Sequence, residues 1–149
     1  MTALAEQTPT KEECLLACVA HLALFGGFWL IGPLAIYFWK GKASRFLAFH
    51  SVQAILLSLL MIAFGAFGAI FMIVFALGFA ALGAALHPAV AGVGMLAGYL
   101  LGGLLIFLPT VFAIVGGVRA FKAEWWSMPI IGGLARRWLE RPEIPTTAV

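Results

Sequence analysis

Arg45, His50 and Gln53 stand at the mouth of the longest apolar stretch of this chain. His50 and Gln53 are three residues apart, so on a helix they share one face. Polar side chains at membrane depth usually turn toward a bundle interior and often mark function. Three readings stay open. Water at headgroup level satisfies these groups, or they form an interhelical hydrogen bond, or they serve a ligand or a transported species.

Cys14, Cys18 and His21 follow at spacings of four and three, which put them on one helical stripe. Two thiolates and an imidazole are metal donors, but a closed site needs a fourth, from His50 or from another helix. Packing on a small-residue face is the simpler reading, so no metal is assigned. A haem held between His21 and His50 is conceivable by the same geometry but has no supporting motif, so no cofactor is assigned either. His87, beside Pro88, reads as a loop residue. Gly94, Gly98 and Gly102 repeat every four residues and would form a groove for a close-packed helix, with Ala76, Ala80 and Ala84 as a matching small stripe. The groove serves packing within the bundle or against a separate protein.

No Asp or Glu lies between Glu13 and Glu124, which removes the carboxylates needed for a proton relay or for acid–base catalysis inside the membrane. No phosphate-binding glycine loop, HExxH or GxSxG pattern is present. The expectation is a protein that is not an enzyme. The formal charge of +3 is too small and too localised for nucleic acid.

The elements that must carry these residues are apolar helices. No Lys, Arg, Asp or Glu occurs from 46 to 118, and a crossing needs about 20 apolar residues. The fold class expected is all-α, a polytopic membrane bundle. Helices are predicted at about 12–39, 46–84 and 90–120, within a transmembrane domain of 12–124. Residues 1–11 would be a loose tail, apart from a capping box formed by Thr10 and Glu13. Gly26, Gly27, Gly32 and Pro33 predict a kink or break in the first helix, and Pro109 a kink in the third.

Residues 125–141 read as an interfacial amphipathic helix. Ser127 would be its N-cap, with Pro129 in the first turn and Ile131, Leu134, Ala135, Trp138 and Leu139 on the apolar stripe. Residues 142–149 would be a second loose tail. Trp39, Trp125, Trp126, Arg136, Arg137 and Trp138 are the expected interface anchors. Lys40, Lys42 and Arg45 flank one end of the uncharged stretch, and Arg119, Lys122, Arg136, Arg137 and Arg141 the other. An even number of crossings between them puts all eight on one side, as the positive-inside rule favours. Three crossings are therefore expected in all, with four as the alternative, in the cell (inner) membrane. The amino terminus would lie outside and the carboxyl terminus in the cytoplasm.

The runs AHLALFGGFWLIGPLAIYFW, RFLAFHSVQAI and VFAIVGGVRAFKAEWWSMPI are similar to the landmarks of a bacterial and archaeal family of small membrane proteins of unknown function. That family is distantly related to the Tic-twenty component of chloroplast import, and some magnetosome membrane proteins resemble it too. The landmarks match at Ala20, His21, Leu22, Pro33, Trp39, Phe49, His50, Gln53, Ala54, Arg119, Ala120 and Glu124. Ser51 and Val52 depart from the pattern, as does Ala123, where the family usually has glycine. The resemblance implies a bundle of three or four helices and no agreed activity.

The function expected is that of an accessory or scaffold subunit, with the lipid bilayer and a larger membrane complex, or its own copies, as partners. The alternatives are a Tic-twenty-like translocation or channel component and a haem- or metal-binding subunit.

Overall fold

In the computed structural model, residues 8–140 are described, and every regular element among them is helical. These are α1 (Lys11–Leu22), α2 (Ile31–Ile36), continued by a π-helical turn (Tyr37–Gly41), α3 (Arg45–Ala85), α4 (Pro88–Phe121) and α5 (Ile131–Leu139). The chain divides into two compact units. One combines the segments up to Leu57 and from Ala113 onward, and the other is Ser58–Phe112.

The first unit departs most from expectation. The single helix predicted over 12–39 is not formed. α1 ends at Leu22 after 12 residues, and a run of turns leads into the short α2. Gly27 sits at φ +79°, where a side chain would be strained. A Cβ on Gly32 would lie 2.6 Å from the Cβ of Ala23, so only glycine lets α2 close back on the end of α1. The glycines that read as a kink thus make a reversal. Among the described residues two helices, α3 and α4, are long and apolar enough to cross a membrane, not three or four. An outside amino terminus depended on the first of three crossings and loses its structural basis.

Local chemistry accounts for the ends. Thr10 caps α1, accepting from the Glu13 amide at 3.2 Å while its own N–H donates to the Glu13 carboxylate at 2.7 Å. The Thr10 N–H holds that carboxyl below its usual pKa. Glu12 pairs with Lys40, which ties the start of α1 to the π-helical turn.

The second unit is an antiparallel pair made of the middle of α3 and the first part of α4. His87 is more than a loop residue: its Nδ1 accepts from the Ala89 amide, capping α4, with Pro88 at the first helical position. Phe67, Phe71, Phe75 and Phe79 succeed each other at four-residue spacing along α3, with ring centroids 4.6–6.5 Å apart. Pro109 lies inside α4 without ending it.

α4 ends in a Schellman motif. The Glu124 amide donates to the Arg119 carbonyl and the Ala123 amide to that of Ala120, both at 3.0 Å. Ala123 occupies the left-handed position of this motif at φ +61°, a conformation glycine adopts without strain. A left-handed alanine costs about 1 kcal/mol. Ala123→Gly is therefore expected to raise stability by up to about 1 kcal/mol, read as a higher thermal midpoint in detergent.

The interfacial helix is shorter than expected. Residues 122–130 are irregular, and α5 begins only at Ile131, so Ser127 is not its N-cap and Pro129 lies outside its first turn. Ser127 lies instead against Gly132. Arg141 and the tail 142–149, like residues 1–7 of the amino-terminal tail, lie outside the described residues.

Candidate functional site: a buried histidine–glutamine clamp

The first turns of α3 enter the core of the first unit. Phe46, Leu47, Phe49, His50, Ser51 and Gln53 are all buried, and His50 and Gln53 have no exposed surface. Neither is open to water. The face they share is covered by the irregular segment that follows α4.

Gln53 grips that segment with both ends of its amide. Its Nε2 donates to the Trp126 carbonyl at 3.2 Å, and its Oε1 accepts from the Met128 amide at 2.8 Å. One side chain thus takes the place of a neighbouring strand and satisfies two backbone groups that have no helical partner. His50 makes the adjoining contact, 3.1 Å from Nε2 to the Glu124 carbonyl. A carbonyl only accepts, so Nε2 carries the proton and Nδ1 is bare. Nδ1 then accepts from His21 Nε2 at 3.4 Å. The result is a directed chain from α1 through α3 to residue 124.

Aromatic rings enclose this chain. The rings of Phe46 and Phe49 lie 4.6 and 5.5 Å from the His50 ring, and Trp125 packs on both phenylalanines. Met128 is buried beside them. α5 closes the other side through Ala135, which packs with Phe49 and Val52, while the Arg136 guanidinium stands 5.8 Å over the Phe49 ring.

The clamp unites His21, His50 and Gln53 but not Arg45, which is exposed at the start of α3. Trp125 and Trp126 are both half-buried, and Trp125 packs against the buried cluster through Phe46 and Phe49. Trp39 and Trp138 are exposed, as is Arg137, with Trp138 leaning on Tyr37 and Lys40 over the Trp39 ring. Leu134 and Trp138 point away from the core, so the buried side of α5 is Ile131, Gly132 and Ala135.

In the second unit Gly94, Gly98 and Gly102 face Phe79, Phe75 and Met72. The alanine stripe is not their partner: Ala80 and Ala84 are exposed and Ala76 is half-buried. The groove is filled from within the chain by larger residues.

The geometry gives no room for a porphyrin between His21 and His50. Their nitrogens are within hydrogen-bond reach of each other, and the rings meet edge to face at 5.6 Å. Two axial ligands of one iron would need nitrogens about 4 Å apart and on opposite sides of a plane. Cys14 and Cys18 are free thiols, and no three His, Cys, Asp or Glu gather among the described residues. His21 Nδ1 and Ser51 Oγ are the buried side-chain atoms found without a hydrogen-bond partner among those residues.

The residues that complete the clamp, Glu124, Trp126 and Met128, contribute backbone groups. Side-chain chemistry could not have pointed to them. The one signal was the density of family landmarks at both ends of the apolar stretch.

No curated protein and no solved structure matches the chain. Residues 12–135, which include nearly all of α1, the clamp and the first half of α5, match the MamF/MmsF family, described as the magnetosome magnetite crystal formation protein family. The match shows no relation to Tic-twenty. With that much of its length matched and two long apolar helices among the described residues, the chain belongs to the magnetosome magnetite crystal formation protein family.

Proposed function

We propose that this protein is a non-enzymatic accessory subunit of the membrane in which its family acts, working by packing and not by chemistry. The observation that carries the reading is the use made of His50 and Gln53. They are the polar groups best suited to handle a ligand, yet both are wholly buried and engaged on the backbone of residues 124–128.

What the protein turns outward is apolar. Ile70, Ile73, Val74 and Leu77 on α3, and Leu96, Leu100 and Leu104 on α4, are all more than half exposed. Such a surface suits lipid tails and the flanks of other membrane helices. A translocation pore would need a polar lining, whereas the Thr110 hydroxyl is engaged by the Ile106 carbonyl one turn away. The partner is a larger membrane complex or further copies of the chain. Lys40, Lys42, Arg45, Arg119, Lys122, Arg136 and Arg137 cluster at the helix ends of the first unit, and the positive-inside rule assigns that end to the cytoplasm.

The test is purification from native membranes in a mild detergent, followed by mass spectrometry and an absorption spectrum. A colourless protein accompanied by stoichiometric membrane partners, or by its own copies, is the expected result. A lone monomer, or one carrying a chromophore or bound metal, would refute the reading.

A further inference from the structure

The segment from Lys11 to Gly41 forms a helical hairpin that leaves and returns to the same end of the first unit. α1 begins beside the basic turn, with Glu12 paired to Lys40 and Thr10, Glu13, Ser44 and Leu47 lining one small cleft. Its far end reaches Gly116 and Gly117 of α4, where His21 and Leu22 pack. α2 and the π-helical turn then bring the chain back to Lys40. At 1.5 Å per residue, α1 is about 18 Å long, a little over half the ~30 Å of a hydrocarbon core.

The side of this hairpin turned away from the core is not that of a helix facing water. Leu15, Val19 and Leu22 form an outward stripe on α1, with exposures of 52, 45 and 41%. Beyond it Phe25, Phe28 and Ile31 are still more open, at 54, 63 and 70%. No charged residue occurs between Glu13 and Lys40. Lipid at the tip would demand that the backbone meet its own hydrogen bonds. Three amides of the turn meet that demand, Phe25 donating to the Leu22 carbonyl, Gly26 to that of Ala23 and Gly32 to that of Phe28.

We infer that α1 and α2 form a re-entrant wedge, which enters the bilayer from the basic side, places Phe25, Phe28 and Ile31 among the acyl chains of that leaflet, and turns back without crossing. The occupant of the exposed apolar surface is lipid. The charged base fixed by Glu12 and Lys40 stays at headgroup level, where ammonium and carboxylate groups remain hydrated. This rests on the family's membrane setting and is independent of which protein partner the chain has.

Two measurements on the full chain in liposomes of phosphatidylethanolamine and phosphatidylglycerol test it. In a Cys14→Ala, Cys18→Ala background, Thr8→Cys and Lys122→Cys should react with an impermeant maleimide from the same face. A spin label on Phe28→Cys should collide with oxygen several-fold more than with a water-soluble nickel complex. The unsubstituted chain provides the second measurement. Its amides over 23–32 should exchange with deuterium far more slowly in liposomes than those of the same peptide excised by protease. Labelling of Thr8 and Lys122 from opposite faces would mean a full crossing and overturn the wedge. A nickel-accessible label at Phe28, or free exchange over 23–32, would place the tip in water and overturn it equally.

Discussion

Gln53→Leu will destabilise the protein by roughly 2–4 kcal/mol, because it leaves the Met128 amide and the Trp126 carbonyl without the partner that Gln53 provides. Leucine nearly matches glutamine in volume, so the loss reports the two hydrogen bonds more than a cavity. Thermal unfolding of the full chain in detergent measures it, and faster exchange at the Met128 amide localises it. Arg45→Ala, in the same motif but exposed, should lie within about 0.5 kcal/mol of the parent protein. Equal effects of the two substitutions would remove the distinction between clamp and surface on which the functional reading depends.

Gly94→Ala is expected to force α3 and α4 apart in the second unit. The added Cβ would sit 2.1 Å from the Phe79 ring and 2.7 Å from the Phe79 Cβ. Ring rotation relieves the first contact but not the second, so the helices themselves must shift. Overpacking of this kind costs typically 1–3 kcal/mol. Gly92→Ala and Gly103→Ala are the matched controls, since a Cβ at either meets nothing within 4 Å. Both should be neutral or stabilising by up to about 1 kcal/mol. If Gly94→Ala left unfolding unchanged yet abolished co-purification with a partner, the glycine face would belong to an interface between chains.

These cases also show what could be read from residues alone. The length and uncharged character of 46–118 sufficed for α3 and α4, because membrane thickness converts directly into helix length. Residues 12–39 read as one helix because hydropathy is the same for a helix that crosses and for two short ones that fold back. What separates them is local: the positive φ of Gly27 and the contact of Gly32 with Ala23. Spacing placed His50 and Gln53 on one face, yet nothing in a helical period names the backbone that covers it. The glycine groove was legible, but its filling was not. Small residues were expected to meet small ones, and the phenylalanine row on α3 fills the groove instead.

The three bonds of the clamp join residues 73–75 positions apart. A ribosome adding 5–20 residues each second needs roughly 4–15 s to cover that distance. During that interval α3 is already made while the segment it must hold does not yet exist. Both long helices have to be laid down before α5 can find its seat, so the carboxyl-terminal end is the last part to assemble. A chain cut short before Glu124 would leave His50 and Gln53 without the backbone they hold, a state open to capture by quality-control proteases.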